Sequence, residues 1–253
     1  MKIAAQLYTV REFTATDADV YNTLKRVRDI GYRAVQISGF GRYNPAKIRE
    51  ALDEFGLSVC ATHTPLNRIK NDTDAVIGEH KLFGAEYVGL GCFAGRSLED
   101  YKAFLADLKE PLARIRGAGL RFLYHNHAHE FIDFNGVKPL YWLRDNTDPE
   151  PFGFLPDFYW VQTAGLSPEA FIRDFAGRMP VVHFKDKRVP PEAGKTDMAP
   201  VFRGNMDYEG IYAACEKAGV LWACVEQDTC EGDPFDCLAV SLRNIQKRCG
   251  AEA

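Results

Sequence analysis

The sequence predicts an α/β protein in which eight βα units close into one parallel barrel, and three observations carry that expectation. Five times an amphipathic segment ends in glycine and a short apolar run follows at once: Gly31 before 32–37, Gly56 before 57–61, Gly84 before 85–90, and again at Gly119 and Gly219. Glycine just past a helix takes the left-handed capping conformation with no Cβ penalty, so each mark reads as helix into strand. Polar residues also gather at the carboxyl ends of the apolar runs, where a parallel barrel builds its site. Finally, Leu7-Tyr8-Thr9-Val10-Arg11 follows the first run where a doubly wound dinucleotide fold would carry a glycine-rich loop.

Strands are expected near 2–7, 33–38, 57–62, 86–91, 120–127, 152–157, 180–185 and 221–228, each followed by a helical candidate. Eight such units make a (β/α)8 TIM barrel, a single domain over residues 1–253. Helix starts agree: Asn44-Pro45, Ser167-Pro168 and Asp233-Pro234 each set a capping side chain before a proline at the first helical position. Ser97-Leu98-Glu99-Asp100 reads as a capping box, and Pro111 is expected to kink or split the helix that follows. The Pro-, Gly- and charge-rich stretch 187–205 breaks the rhythm and is expected to be a long βα loop over the barrel mouth.

With 46% hydrophobic and 26% charged residues the chain can bury a large core. A formal charge of -4, with no basic block, argues against a nucleic-acid partner. No stretch approaches the roughly 18 apolar residues of a membrane span. The short apolar start, interrupted by Gln6 and Arg11, is no signal-peptide core. Seven scattered cysteines without a Cys-x-x-Cys pair suit a reducing cytoplasm and give no zinc-finger spacing.

The chemistry centres on Tyr124-His125-Asn126-His127-Ala128-His129-Glu130-Phe131, which holds three of the six histidines. Strand alternation puts His125 and His127 on one face, and buried imidazoles need polar partners. Other strand ends supply Asp157, then His183 with Lys185 and Asp186, then Glu226, Gln227 and Asp228; the third gives His63 and the first Gln6 and Tyr8. His129 is read as a solvated loop residue and His80 as structural. Asp157 as a turn cap and His183 as a hydrogen-bonded core residue are the alternatives for those two. Three carboxylates and an imidazole at one rim favour a bound divalent cation, which offsets their mutual repulsion. An oxygen-rich set with one histidine suits Mn2+ or Mg2+, with Co2+ and Zn2+ also compatible.

Taken in order, these segments together with Gln6-Leu7-Tyr8-Thr9-Val10-Arg11, Pro156-Asp157-Phe158-Tyr159-Trp160-Val161, His183-Phe184-Lys185-Asp186 and Val225-Glu226-Gln227-Asp228 resemble the xylose-isomerase-like TIM-barrel superfamily, nearest its sugar phosphate isomerase/epimerase-like branch. The resemblance implies one divalent metal held by Glu130, Asp157, His183 and Glu226. It departs locally, because His125 stands where many relatives have the fifth-strand glutamate, so His125 or His127 is the alternative to Glu130 as ligand. Val201-Phe202-Arg203-Gly204 also replaces a frequent Gly-x-Gly turn, and Gln36 a frequent glutamate.

The implied activity is a metal-dependent sugar, sugar phosphate or keto-sugar isomerase or epimerase, moving a proton next to a carbonyl through a stabilised enediolate. Glu130 and Glu226 are assigned to the proton transfer with His127 as a competing base, and His63, His125, Lys185, Tyr8 and Trp160 to the substrate. The nearest rival is a lyase or dehydratase expelling a β-hydroxyl from the same intermediate, on a keto-sugar or inosose-type substrate. Further off stand an endonuclease for abasic DNA and a non-catalytic sugar-binding subunit. A homo-oligomer is left open.

Overall fold

The computed structural model describes residues 1–192 and 194–251. Its strands and helices run β1 (Lys2–Gln6), α1 (Asp17–Ile30), β2 (Ala34–Ile37), α2 (Pro45–Phe55), β3 (Ser58–Thr64), α3 (Leu66–Asn71), α4 (Thr73–Phe83) and β4 (Tyr87–Leu90). There follow α5 (Leu98–Gly117), β5 (Arg121–His125), α6 (Pro139–Asp145), β6 (Phe152–Leu155), α7 (Phe158–Thr163), α8 (Pro168–Asp174) and β7 (Val181–Phe184). The chain finishes with β8 (Asp186–Arg188), β9 (Asp197–Ala199), α9 (Tyr208–Lys217), β10 (Trp222–Val225) and α10 (Pro234–Cys249).

Eight of these strands form one parallel sheet in the order β6-β5-β4-β3-β2-β1-β10-β7. Its two ends meet, because Asp157 and His183 bridge in parallel and the His183 N–H donates to the Pro156 carbonyl at 2.7 Å. The sheet is therefore a nearly closed barrel ringed by helices, and its seam lies at two of the predicted site residues. All eight expected strands are present. The caps at Asn44, Ser167 and Asp233 and the capping box at Ser97 form as expected.

Two expectations need correction. Pro111 does not split α5, which runs unbroken over its 20 residues. Tyr101, Phe104, Leu108, Pro111 and Ile115 are all buried, and that packing outweighs the one ladder bond a proline removes. The stretch 187–205 is not wholly irregular either, since β8 and β9 pair as an antiparallel hairpin with Lys187 opposite Met198. The buried Asp186 carboxylate anchors its base by accepting from the N–H groups of Lys187, Gly204 and Met206 at 2.7, 2.8 and 3.3 Å.

The apolar interior splits by strand alternation. Residues on the outer face of the strands pack under the helices in one large cluster. Inside the barrel lies a second, small cluster: Ala4, Ala34, Cys60, Ala61, Tyr87, Leu123, Leu155, Val181 and Cys224. One two-residue step from this floor, towards the carboxyl ends, reaches Gln6, Gln36, His63, Gly89, His125, Asp157, His183 and Glu226. β3 enters this layer at His63 because its register against β2 shifts between Val35 and Gln36. Gly89 has no room for a side chain, since a Cβ there would run into the Thr62 carbonyl oxygen. Seven polar side chains and one glycine thus form a single layer over an apolar floor.

Candidate metal centre and active site

The polar layer and the residues just above it line a cavity of about 570 Å³, within the usual range for a small-molecule site. Its walls include Tyr8, Arg11, Ser38, His63, His125, His127, Lys185, Glu226 and Asp228. Asp157 and His183 are wholly buried behind them.

Three donor atoms converge here, namely Asp157 Oδ2, His183 Nδ1 and Glu226 Oε2, all within 4.8 Å of one another. Each is buried and none makes a well-aligned hydrogen bond: the two oxygens share the Lys185 ammonium, and His183 Nδ1 faces Glu226 Oε2 at 2.8 Å. Two carboxylate oxygens and an imidazole nitrogen brought this close are the donor set a cation site offers. The remaining atoms of the same side chains are spoken for. Asp157 Oδ1 caps α7 by accepting from the Tyr159 N–H at 2.9 Å, and Glu226 Oε1 accepts from Gln6 Nε2 at 2.8 Å. His183 Nε2 donates to Gln36 Oε1 at 2.7 Å, which orients the ring so that Nδ1 faces Glu226 Oε2 at 2.8 Å. His125 is set the same way: its Nδ1 donates to the Leu155 carbonyl at 3.1 Å, leaving Nε2 to face the His183 ring, whose centroid is 4.6 Å away.

Lys185 reaches into this set from the end of β7. Its Nζ is 2.8 Å from Asp157 Oδ2, 2.8 Å from Glu226 Oε2 and 3.0 Å from Asp228 Oδ1. Burial would lower this ammonium's pKa, but the three carboxylates outweigh it and hold the group charged, above its ordinary value. Glu226 is kept far below the usual carboxylate range by Lys185 and His183 against its burial, whereas for Asp157 burial prevails and raises it to about 6. Burial depresses His63 to about 3 and His125 well below its ordinary value, so both are neutral at pH 7. The buried Asp157 and Glu226 and the partly exposed Asp228 thus share one ammonium. A divalent cation here would offset the negative charge that remains.

Glu130 is not brought to this set. β5 ends at His125, and a 3-10 turn, His129–Phe131, carries the glutamate behind the strand, where it is fully buried. Its carboxylate accepts from the Tyr124 hydroxyl at 2.9 Å and the His127 N–H at 2.8 Å, and lies 3.1 Å from His129 Nε2. Tyr124 points out of the barrel as a neighbour of the apolar Leu123, so the partner that captures Glu130 is on the wrong face for the cavity. His129 is accordingly no free solvated residue: it also donates to the Phe93 carbonyl at 2.9 Å, and Glu130 raises its pKa.

The other expected residues reach the rim. His127 lines the cavity with Nδ1 unpartnered, Trp160 stands against it with ring centroids 5.4 Å apart, and Tyr8 stacks on Arg11 at 4.3 Å. His80 is structural, as expected, bonded to Thr62 and the Val76 carbonyl. Arg11 and Ser38 were not singled out from the sequence, and Asp228 was noted without a role. The signal for the last was available, since Asp228 lies one further two-residue step beyond Glu226.

Fold and site together define a barrel enzyme scaffold with a candidate buried His/Asp/Glu metal site at its carboxyl-terminal mouth. The chain belongs to the xylose isomerase-like TIM barrel family, whose model matches residues 24–234. Among solved structures it is similar to a sugar phosphate isomerase/epimerase from Parabacteroides distasonis, at 20% identity and a TM-score of 0.81, covering 98% of this chain and 94% of that one. It is also similar to the probable 3-DHS dehydratase AsbF of Bacillus anthracis (12% identity, TM-score 0.76, 98% of this chain and 100% of that one). A third is the IolI protein with a binding zinc atom (14% identity, TM-score 0.77, 98% and 97%). At these identities the likeness is one of fold. No curated protein sequence matches the chain. Among the described residues, no helix is long and apolar enough to cross a membrane.

Proposed function

We propose that the chain is a divalent-metal-dependent isomerase or epimerase of a sugar or keto-sugar, with the cation held by His125, Asp157, His183 and Glu226. The observation that carries this reading is the convergence of Asp157 Oδ2, His183 Nδ1 and Glu226 Oε2, all buried, beneath a sugar-sized cavity. His125 is the fourth member because it occupies the fifth strand's place in the same polar layer and keeps Nε2 free. A mixed nitrogen and oxygen set suits Mn2+, Co2+ or Zn2+ better than Mg2+. When bound, such a cation supplies Lewis acidity to adjacent oxygens of a hydroxy-ketone and offsets the negative charge that develops on proton removal.

The chain's own groups would do the rest. His127 and Glu226 border the cavity from β5 and β10 and can exchange a proton with the carbon beside the carbonyl. Tyr8, His63 and Trp160 bound the substrate's position. The cavity's carboxylates fit a neutral sugar better than a nucleic acid. Seven free cysteines fit work in a reducing cytoplasm.

Two expected results follow. Glu130→Gln leaves Mn2+ binding intact and lowers stability by about 1–3 kcal/mol through its disturbed hydrogen bonds, whereas His125→Gln weakens Mn2+ binding; calorimetric titration and urea unfolding read both. Burial lowers the His127 pKa below the ordinary 6.5, so a base at this position is neutral through pH 7. kcat/KM should then hold level through neutrality and fall only at pH below 6.5, and His127→Gln should cost about 10²–10⁴-fold in rate.

The test of the reaction is solvent-deuterium incorporation into a panel of ketoses and keto-sugars with Mn2+ added or chelated. Metal-dependent exchange next to the carbonyl supports the proposal; no exchange with any carbonyl sugar, together with binding of abasic DNA, overturns it. Lys185 gives a specific reason to assay dehydration too, because its ammonium borders the cavity and can hydrogen-bond a departing hydroxyl. Water loss rather than exchange without net change would assign the lyase outcome.

A further inference from the structure

Lys185 stands on the ground that a cation would need. Its Nζ lies 2.8 Å from both Asp157 Oδ2 and Glu226 Oε2, the same two oxygens that form the donor set with His183 Nδ1. A divalent ion takes carboxylate oxygens at about 2.0–2.2 Å and carries twice the charge. An ammonium and such an ion cannot share both oxygens, since like charges so close in a buried site repel strongly. Lys185 nevertheless has a second place to go. Asp228 offers both carboxylate oxygens, at 3.0 and 3.1 Å, and borders the cavity. Its backbone is pinned on both sides, the N–H by Met198 Sδ at 3.3 Å and the carbonyl by Arg11 Nη1 at 3.1 Å. The lysine chain can therefore swing while its second partner stays fixed.

We infer that Lys185 is a built-in counter-ion: it holds the two carboxylates in place before metal binds and is transferred to Asp228 alone when a divalent cation arrives. This rests on the metal site proposed above and adds a role for the lysine in loading it. Transfer leaves an ammonium at the cavity floor with hydrogen-bonding capacity free for a substrate oxygen. A compact, flexible, strongly charged group suits this work better than the rigid fork of an arginine.

Calorimetric titration with MnCl2 of wild type, Lys185→Met and Asp157→Asn, together with crystal structures of wild type with and without Mn2+, tests the inference. The methionine variant should bind Mn2+ at least tenfold more tightly than wild type, because no ammonium competes. In the loaded crystal Nζ should lie beyond hydrogen-bond distance of Asp157 and Glu226 and still touch Asp228. An unchanged or weaker affinity in Lys185→Met, or a loaded wild type whose lysine keeps both oxygens, overturns the inference and leaves the metal site standing. Failure of wild type and Lys185→Met alike to take up Mn2+ overturns the metal site and the inference with it. The crystal comparison needs no variant, so it decides the matter even if Lys185→Met does not fold.

Discussion

Asp157→Asn is expected to lower Mn2+ affinity by well over 100-fold and turnover by roughly 10³-fold while leaving the fold intact. The lower bound on affinity comes from outer-shell changes at metal sites, which already cost 10–100-fold, and this is a direct donor. The turnover figure is that of losing one charge-stabilising group from an enclosed site. The substitution is well aimed because the two oxygens of Asp157 have separate duties. Oδ1 caps α7 through the Tyr159 N–H, and an asparagine oxygen can do the same. Oδ2 faces the cation site, and an amide nitrogen in its place donates where an acceptor is needed. Far-ultraviolet circular dichroism should be unchanged, and equilibrium dialysis should find no stoichiometric Mn2+. Retention of wild-type affinity would show that this residue is only a turn cap.

How far the sequence reveals such a site depends on which signals are periodic. The barrel was legible because each βα unit repeats the same glycine-closed helix and apolar run. Asp157, His183 and Glu226 were legible too, since each stands two residues beyond an apolar barrel-facing residue: Leu155, Val181 and Cys224. The same step from Leu123 leads to His125, which is why strand geometry favours it over Glu130. Glu130 resembles a family ligand in composition and order, but it lies past the end of β5, where alternation no longer says which way a side chain points. Its capture by Tyr124 depends on a single hydrogen bond across six residues, and nothing periodic announces that. The β8–β9 hairpin is hidden for a related reason: three-residue strands are too short to show alternation. Pro111 misleads in the opposite direction, because a local rule about proline is overridden by burial that only the tertiary structure reveals. The sequence sets a lysine near three carboxylates without indicating that one ammonium touches them all.

That shared ammonium makes Lys185→Met the substitution with the largest expected effect on the metal-free protein. Removing one partner of a buried charge pair costs about 3–5 kcal/mol, because the opposite charges stay buried and uncompensated. Here Asp157, Glu226 and Asp228 would all lose the same cation. Methionine keeps a chain of similar length and apolar character, so little of the loss comes from packing. The sign of the pH dependence follows from Asp157, whose folded-state pKa, about 6, exceeds its ordinary 3.8. At this group the folded form binds a proton more tightly than the unfolded form, so its contribution to stability falls as pH climbs from about 4 through 6, against the opposite contribution of Glu226, whose pKa is held low. Without Lys185 the carboxyl is raised further, so the gap between variant and wild type should widen with rising pH and narrow in acid. Buried neutral histidines such as His63 act in the opposite sense, and because Lys185 helps to lower the His63 pKa its removal weakens that opposing contribution. A divalent cation at 1,000 times its dissociation constant contributes about 4.1 kcal/mol, enough to restore most of the loss. Urea unfolding of both proteins at pH 5 and pH 8, with and without Mn2+, reads all three effects. A metal-free variant as stable as wild type at pH 8 would mean that the three carboxylates do not depend on this ammonium.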